Sequence, residues 1–418
     1  MKKLVTFTAL ATILAIADNA NAAGFHLREQ SAAAQGNAFA GATAGAENPS
    51  YAYFNVAGLT RHKGTQINAG GTYIAPSAEA HNINHTADEQ HNIVHAAIAP
   101  NGTMSYQLDD KTVLGLGLNV PFGMITKYSS SWAGSAHGNT SRVHTLAITP
   151  MAAHKVTDKL SLGAGFVVEH IRARLTSKTD GVADTAVHGD TTDIGYQLGA
   201  MYELNDNTRF GVGYRSEMKH KIKGKMEANN LVGPLAPLAS SLNQNIHTDL
   251  DVPAMLSFGA YHKLNDKWEL MAEYQRVYWS SFDRLDFVGE DRISLTTGTP
   301  LISRVNEKWH DTNFYALGAS YQIDDQWKAR FGIAFDQAAA KRHERTPRIP
   351  DSDRLWYSFG LGYQYNEKLS FDMAFTYIKA KNAVVDTKNS VNAHIGNDVY
   401  AEYKNSVKMW GLSLNYKF

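Results

Sequence analysis

The chain has 418 residues, of which 44% are hydrophobic, 11% aromatic and 19% charged. Its 40 basic residues balance its 40 acidic residues, so it has no overall positive field that could hold a nucleic acid through its phosphates. It contains no cysteine, which excludes disulfide frameworks, thiolate metal sites and cysteine nucleophiles.

The N-terminus has the three parts of a secretory signal. Two lysines precede an apolar stretch from Leu4 to Ala17, and a small-x-small cleavage site ends at Ala22. The stretch is short for a membrane-spanning helix, and its small-residue end favours cleavage. We therefore expect a signal peptide over residues 1–22, with cleavage before Ala23. No later apolar run is long enough for a helical span.

Residues 23–62 form a segment that is rich in Ala and Gly and does not alternate between apolar and polar side chains. A disordered periplasmic tail is one interpretation. The segment nevertheless carries more large apolar side chains than disordered segments usually do. These side chains are Phe25, Leu27, Phe39, Tyr51, Tyr53 and Phe54. We therefore expect a compact plug.

Six short polar clusters divide the rest of the chain, residues 63–418, at intervals that leave room for two strands and a loop. They are Asp109-Asp110-Lys111, Thr157-Asp158-Lys159, Asn205-Asp206-Asn207, Asn265-Asp266-Lys267, Asp324-Asp325-Gln326 and Asn366-Glu367-Lys368. If each cluster is a tight turn, six turns bound seven hairpins. The sequence therefore predicts fourteen strands with short turns at one rim and long loops at the other, the layout of a transmembrane β-barrel of the bacterial outer membrane.

Strict alternation supports this all-β prediction. In the last strand Trp410, Leu412, Leu414 and Tyr416 share one face with the terminal Phe418, and small or polar residues occupy the other. A soluble sandwich would also alternate, but aromatic residues near strand ends are typical of the interfacial girdles of a barrel. We interpret Phe418 as an assembly signal for the barrel assembly machinery.

The same alternation directs charged residues of both signs into the lumen, where we expect ion pairs and hydrogen bonds that stiffen the wall. These residues are Arg209, Arg215, Glu269, Glu273, Lys328, Arg330, Asp336, Arg354 and Asp372.

The third strand is interrupted. It runs from Leu114 to Asn119 and then meets Pro121-Phe122-Gly123. Proline cannot donate to the ladder and glycine weakens a strand, so we expect the wall to lose pairing there and to open sideways. The alternative is that Pro121 only marks the end of the strand.

Motifs spread over nearly the whole mature chain carry a family resemblance. They are Ala23-Gly24-Phe25, Gly36 with Gly41, Asn55-x-Ala57-Gly58-Leu59, Val120-Pro121-Phe122-Gly123, Tyr128 with Trp132, Asp158-Lys159-Leu160-Ser161-Leu162-Gly163, Tyr214-Arg215-Ser216-Glu217, and Ile349-Pro350-Asp351-Ser352-Asp353-Arg354. With these motifs the chain resembles the FadL family of outer-membrane transporters for long-chain fatty acids and other hydrophobic compounds.

The resemblance implies a fourteen-stranded barrel plugged by an N-terminal hatch. It also implies a passive route in which loops capture a hydrophobic ligand, an apolar pocket above the hatch holds it, and the ligand leaves sideways through the wall. Each buried methylene contributes about 0.8 kcal/mol, so such a ligand prefers the pocket and the bilayer to water. We expect Phe25, Leu27 and Phe39 of the hatch to line the pocket.

A fatty acid also carries a carboxylate, which should meet a cation or several hydrogen-bond donors when it is buried. The candidates are Arg172, Arg174 and Lys178 at the top of strand five, and Arg304 and Lys308 entering strand ten. The positions that match the family's basic contacts hold Ser177 and Val305 instead, so these basic residues are alternatively lipopolysaccharide or solvent contacts.

Two further departures concern the hatch and the loops. The family's Asn-Pro-Ala reads Asn55-Val56-Ala57, and loop three, near Ser177 to Thr191, is short. Loop four carries an apolar stretch between Leu231 and Leu242 that either catches ligand or packs over the barrel mouth.

Other functions remain as alternatives. An uptake channel for aromatic or aliphatic hydrocarbons needs the same apolar pocket, whereas a general porin would have no plug. A barrel enzyme has less support, because the sequence contains no Gly-x-Ser-x-Gly motif. The histidines of the first loop, from His81 to His95, match no defined zinc motif. We expect no cofactor, no metal and a monomer surrounded by outer-membrane lipid and lipopolysaccharide.

Overall fold

Fourteen antiparallel strands close into a single barrel. The computed structural model describes residues 24–81, 83–84, 89–179, 183–231, 243–293, 298–393, 395 and 398–418. The predicted signal peptide and its cleavage site at Ala22 and Ala23 lie outside these residues, as do residues 232–242 of loop four. No helix in the described ranges is long and apolar enough to span a membrane.

Several strands are interrupted, and the two segments of each are given together. In chain order the strands are β1 Thr65–His81, β2 Ala97–Gln107, β3 Thr112–Asn119 with Gly123–Lys127, β4 Thr140–Lys155, β5 Leu160–Thr179, β6 Ala183–Asn205, β7 Thr208–Arg215 with Met218–Asn229, β8 Gln244–Val252 with Met255–Lys263, β9 Trp268–Val277 with Arg284–Gly289, β10 Leu301–Asn306 with Thr312–Gln322, β11 Trp327–Asp336, β12 Arg354–Gln364, β13 Leu369–Ala380 with Ala383–Asp386, and β14 Tyr400–Lys417.

Pairing between the first and last strands closes the barrel. The β1–β14 register runs without a break from Gln66 opposite Lys417 to His81 opposite Glu402. Closure removes the sheet edges, whose unpaired backbone groups would be costly in lipid. The predicted strand number and the all-β, fourteen-stranded fold are confirmed.

The six predicted turns share one capping device. The first residue of each cluster accepts hydrogen bonds from backbone amides two or three residues later. In Asn265, for example, Oδ1 accepts from the amides of Lys267 and Trp268, each at 2.9 Å. Asn, Asp and Thr make such local bonds readily, which is why these clusters mark turns in the sequence.

The two faces of the wall differ as the alternation predicts. On β14, Trp410, Leu412 and Leu414 are exposed on the outside, whereas Met409 and Ser413 are buried inside. The terminal Phe418 is also exposed, and its amide donates to the carbonyl of Thr65 at 3.0 Å.

Residues 24–62 fold into three short helices, α1 Ala32–Gly36 and the 3₁₀ helices Pro49–Tyr53 and Val56–Arg61. The side chains of Ser31, Asn48 and Asn55 cap their first turns. The side chain of Asn55 accepts from the amide of Ala57 at 3.0 Å and caps the last helix, although the proline of the family's Asn-Pro-Ala is absent.

This segment lies inside the barrel, because it contacts strands on all sides of the wall. Its backbone approaches the wall so closely that side chains would not fit. A Cβ at Gly211 would lie 1.9 Å from the carbonyl oxygen of Thr43, and one at Gly332 would lie 2.1 Å from that of Asn37. Glycine on the lumenal face therefore accommodates the N-terminal segment.

Charged groups of the wall bind this segment. Glu47 accepts from Lys328 at 2.8 Å and from Arg330 at 2.7 Å. The guanidinium of Arg209 donates to the carbonyls of Ala44 and Gly45, each at 2.5 Å. The lumenal residues were predicted to pair within the wall, as Arg330 and Asp372 do at 2.9 Å. Many of them instead join the wall to the segment.

Candidate functional site

Strand β3 breaks at the position that the sequence marks. Its first segment pairs with β2 only up to Leu118 opposite Gly102, and its second segment pairs with β4. Residues Ala97–Asn101 of β2 therefore pair with β1 but have no partner on the β3 side. Beyond the Gly102–Leu118 rung, the described residues of β2 and β3 therefore form no ladder.

The N-terminal segment replaces the missing pairing at the break. The amide of Leu27 donates to the carbonyl of Pro121 at 2.7 Å, and the amide of Gly123 donates to the carbonyl of Phe25 at 2.9 Å. His26 faces Phe122 in an isolated antiparallel bridge. Leu27 packs directly over Gly123, where an added Cβ would lie 3.0 Å from the leucine side chain.

The amide side chain of Gln30 completes this contact. Its nitrogen donates to the carbonyl of Val120 at 2.7 Å, and its oxygen accepts from the amide of Val120 at 3.1 Å and from Asn119 at 3.2 Å. The side chain thus imitates a strand residue. Pro121 and its neighbours bind the N-terminal segment in place of β2.

Above this break a mostly apolar cavity lies inside the barrel. It is lined by residues of the N-terminal segment, several strands and the loop after β11, among them Phe25, Met124, Val143, Leu175, Ile222, Leu250, Phe287, Glu307 and Arg348. A lining of this character suits an acyl chain or another hydrophobic molecule.

A second cavity adjoins the first and is lined in part by loop residues, among them His137 and Asn392. The two share Leu175, Val187, Phe287, Glu307 and Arg348. The two cavities therefore lie side by side between the loop residues and Phe25 of the N-terminal segment.

Phe25 closes the inner end of the first cavity. Its side chain is 1% exposed and its ring centroid lies 4.9 Å from Trp279, 5.5 Å from Phe282 and 5.7 Å from Phe122. Edge and tilted contacts of this kind stabilise aromatic clusters beyond the area they bury. Displacement of Phe25 would therefore open the cavity toward the break in β3.

Arg348 is a positively charged residue that lines both cavities. Its guanidinium donates to the Ser141 hydroxyl at 2.9 Å and to the carbonyls of Thr140 and Thr176 at 3.3 and 3.2 Å. Among the described residues it forms no salt bridge. Burial lowers its pKa to about 10, so it remains charged at neutral pH.

Glu307, between the two segments of β10, lines the same cavities. Its carboxyl is buried and accepts from the indole of Trp309 at 3.1 Å. Burial raises its pKa to about 8, against the smaller opposing effects of that hydrogen bond and of Arg348. At neutral pH the carboxyl is therefore mostly protonated and does not neutralise Arg348.

The structure brings only part of the sequence-predicted pocket together. Phe25 lines the cavity and Leu27 lies at the break, but Phe39 packs elsewhere in the interior, against Phe54 and Trp356. In this packed position the backbone of Phe39 adopts a left-handed conformation, with φ of 61°.

The proposed carboxylate contacts do not face the cavities. Arg172 and Arg174 are exposed on the outer face of β5, the face to which Lys178 belongs by alternation. Arg304 is exposed and binds Asp286 on the neighbouring strand at 2.6 Å, and Lys308 is exposed beyond the end of its strand segment. The arginine that lines both cavities is instead Arg348.

Alternation could have shown this for β5, because Phe166 marks its outer face and has the same parity as Arg172 and Arg174. Arg348 gave no such signal, because it lies in an irregular stretch that folds into the barrel. It immediately precedes the motif that begins at Ile349.

Loop three is as short as predicted, since β5 and β6 remain paired up to Thr179 opposite Ala183. In the described part of loop one, His81 and His91 lie beside Glu79 and Glu89 at 3.1 to 3.8 Å. Within the described residues no group of such side chains has the arrangement of a metal site.

Comparison with protein families gives a match over residues 13–418 to the family described as outer membrane protein transport protein (OMPP1/FadL/TodX). The chain is 31% identical to a 47 kDa outer membrane protein of Pasteurella multocida, over 99% of this chain and 98% of that protein. It is 26% identical to the long-chain fatty acid transport protein of Escherichia coli K12, over 100% and 99% of the two chains.

Solved structures share the fold. A FadL homologue of Pseudomonas aeruginosa superposes with a TM-score of 0.84 at 24% identity, covering 95% of this chain and 100% of that one. The toluene transporter TbuX of Ralstonia pickettii gives 0.67 at 18% identity, covering 92% and 97%. Among these proteins, the Escherichia coli relative and TbuX are named as transporters.

Proposed function

The chain belongs to the OMPP1/FadL/TodX family of outer-membrane transport proteins, and we propose that it takes up long-chain fatty acids by passive transport. The carrying observation is a half-buried arginine in a mostly apolar cavity. The cavity offers an acyl chain a favourable environment, and Arg348 offers its carboxylate a partner. The relatives named as long-chain fatty acid transport proteins support the same substrate class.

The proposed route follows the two adjoining cavities. A ligand enters from the loop rim, places its carboxylate at Arg348 and extends its chain toward Phe25. The N-terminal segment, residues 23–62, acts as the hatch. When residues 25–30 leave the break in β3, the unpaired stretch beside Ala97–Asn101 becomes the exit into the bilayer.

Contacts of Arg348 with β3 couple ligand binding to this exit. The hydroxyl of Thr126, in the second segment of β3, donates to the carbonyl of Arg348 at 2.8 Å. The hydroxyl of Tyr128 donates to the carbonyl of Pro347 at 2.5 Å. A shift of Arg348 upon binding a carboxylate would therefore move the upper part of β3 relative to the N-terminal segment.

Replacing the arginine tests the substrate. In Arg348→Leu, we expect the affinity for a long-chain fatty acid to fall about tenfold or more, since a charge-assisted hydrogen bond contributes about 1.5–3 kcal/mol. Affinity for an alkane of equal length should change little. Both are measured by displacement of a fluorescent acyl probe from the purified protein, with Arg304→Leu as the matched control outside the cavity. Equal binding of fatty acid by wild type and Arg348→Leu would favour neutral hydrocarbons as substrates instead.

The protonated state of Glu307 predicts a pH dependence. Its raised pKa means that the carboxyl loses its proton as the pH rises through about 8. The new negative charge should then weaken the binding of an anionic ligand at Arg348, so affinity is high below pH 7 and lower at pH 9. An alkyl sulfonate, ionised over the whole range, isolates the titration of the protein. In Glu307→Gln the affinity should not vary with pH. If that variant showed the same pH dependence as the wild type, this role of Glu307 would be contradicted.

A further inference from the structure

Strands β6 and β7 lose their ladder at another place in the wall. On the side of the turns they pair up to Gln197 opposite Arg215, and on the side of the loops they pair again from Asp190 opposite Lys223. Between these two rungs they form no ladder with each other, although β5 still pairs with β6 and β8 with most of β7. We call this stretch the β6–β7 gap.

In the part of the chain that the structure describes, hydrogen bonds cross the β6–β7 gap at two positions. At its lower end Ser216 and Tyr196 exchange two hydrogen bonds, each of 2.9 Å. Near its middle Nδ1 of His220 is hydrogen-bonded to Oδ2 of Asp193 at 3.0 Å, and Nε2 lies 3.3 Å from Oε1 of Glu169 on β5. A side chain that can rotate, rather than a backbone ladder, therefore closes most of the gap.

The inner side of the gap borders the mostly apolar cavity. Ile222 is the next inward residue above His220, and it lines that cavity together with Gly189 and Leu250. A Cβ on Gly189 would lie 2.9 Å from Cγ2 of Ile222, so the isoleucine side chain covers the wall there. Leu250 lies opposite His220 on β8. Movement of His220 and Ile222 would therefore join the cavity to the gap.

The outer side of the gap lies where the apolar band of the wall gives way to charged residues. On β6, Ile194 is 64% exposed and Tyr196 is also exposed. On β7, the outward side chains along the gap are those of Lys219 and Lys221, both exposed. A change from apolar and aromatic to charged side chains is typical of the membrane interface. An amphipathic molecule in the outer leaflet, with its head at this level and its chain in the lipid, would therefore meet the gap.

We propose that the β6–β7 gap is a side entrance, through which a fatty acid dissolved in the outer leaflet passes into the cavity, with His220 and Ile222 as its gate. The inference rests on the proposed uptake of fatty acids. A ligand on this route keeps its chain in apolar surroundings throughout, whereas entry from the loop rim takes the chain through water. Nε of Arg215, buried and without a hydrogen-bond partner among the described residues, donates to the carboxylate as it passes.

A disulfide across the gap tests the entrance. A Cβ on Gly195 would lie 2.7 Å from Cγ of Met218, so Gly195→Cys and Met218→Cys place their Cβ atoms close enough for a disulfide. Oxidation then holds β6 and β7 together beside His220. We measure how fast a fluorescent long-chain acid, already dissolved in the bilayer of a nanodisc, enters the cavity. The rate should fall about tenfold or more on oxidation and recover on reduction. The equilibrium affinity should change less than about twofold, because the cavity itself is unaltered.

Two further variants separate the gate from a general effect of crosslinking. Ala200→Cys with Val212→Cys is the matched control, because it joins the same two strands where they are regularly paired. Its oxidation should leave the entry rate unchanged. His220→Ala should act in the opposite direction and speed entry, since it removes the gate. Adding the oxidised Gly195/Met218 disulfide to His220→Ala should slow entry again. The heat-dependent mobility of each variant on denaturing gels reports whether the barrel is folded.

A long-chain alcohol with the same fluorophore distinguishes failure of the entrance from failure of the proposed substrate. If the alcohol binds and the acid does not, the fatty-acid substrate is wrong and the alcohol's entry rates decide the entrance. The entrance is overturned if oxidation of the folded Gly195/Met218 variant leaves the entry rate unchanged, or if the Ala200/Val212 disulfide slows entry as much. Absence of binding by both molecules would overturn the cavity as a ligand site, and the entrance with it.

Discussion

A disulfide between positions 26 and 122 should stop uptake until it is reduced. His26 and Phe122 form a non-hydrogen-bonded antiparallel pair, flanked by the Leu27–Pro121 and Phe25–Gly123 hydrogen bonds. Such pairs have Cα atoms about 4.5 Å apart, within the range that a disulfide spans. In His26→Cys with Phe122→Cys, the crosslink would hold the N-terminal segment in the break of β3. Because the chain has no other cysteine, no competing disulfide can form within it.

Uptake of a fluorescent fatty acid by cells, measured before and after adding a reductant, gives the readout. We expect at least a tenfold reduction in the oxidised state and recovery on reduction. The single variants, treated with the same oxidant, show any effect of losing the Phe122 ring. Full uptake by the crosslinked protein would mean that the ligand leaves by another route.

The turns and strand faces of the barrel wall can be predicted well from the sequence, because the patterns that mark them are local. Each turn cluster caps itself through a neighbouring backbone amide, as Asn265 does, and each strand face follows from a period of two. Pro121 marked the break in β3 for a similarly local reason, since it cannot donate to a ladder. The partner of that break, the backbone from Phe25 to Gln30, gave no local signal, because nearly 100 residues of chain separate the two.

The interior was harder to predict, because its contacts depend on how irregular segments fold. Glu47 binds Lys328 and Arg330 from a segment without periodicity. The stretch from Trp279 to Phe282, which interrupts β9, turns aromatic rings inward around Phe25. Arg348 reaches the cavity from an irregular stretch. Side chains on regular strands could be assigned to a face, whereas these could not.

Deletion of residues 24–62 should convert the closed barrel into an open pore. This segment fills the lumen, and the glycines that face it, such as Gly211 and Gly332, would leave empty space behind. The wall keeps its own ion pairs, including Arg330–Asp372 at 2.9 Å and Arg215–Glu169 at 3.2 Å, so the remaining lumen is polar and should fill with water. The strands, turns and closing register lie outside the deleted residues.

Single-channel recording in planar bilayers measures the effect. The deletion variant should show a large, steady ion conductance, whereas the full-length protein and the oxidised His26→Cys/Phe122→Cys protein should show almost none. The crosslinked protein is the stringent control, because its N-terminal segment is held in place by the disulfide. A general porin would conduct equally well with and without the segment. Equal conductance of the folded deletion variant and the full-length protein would therefore contradict a hatch, since water would already pass through a lumen that residues 24–62 are proposed to close.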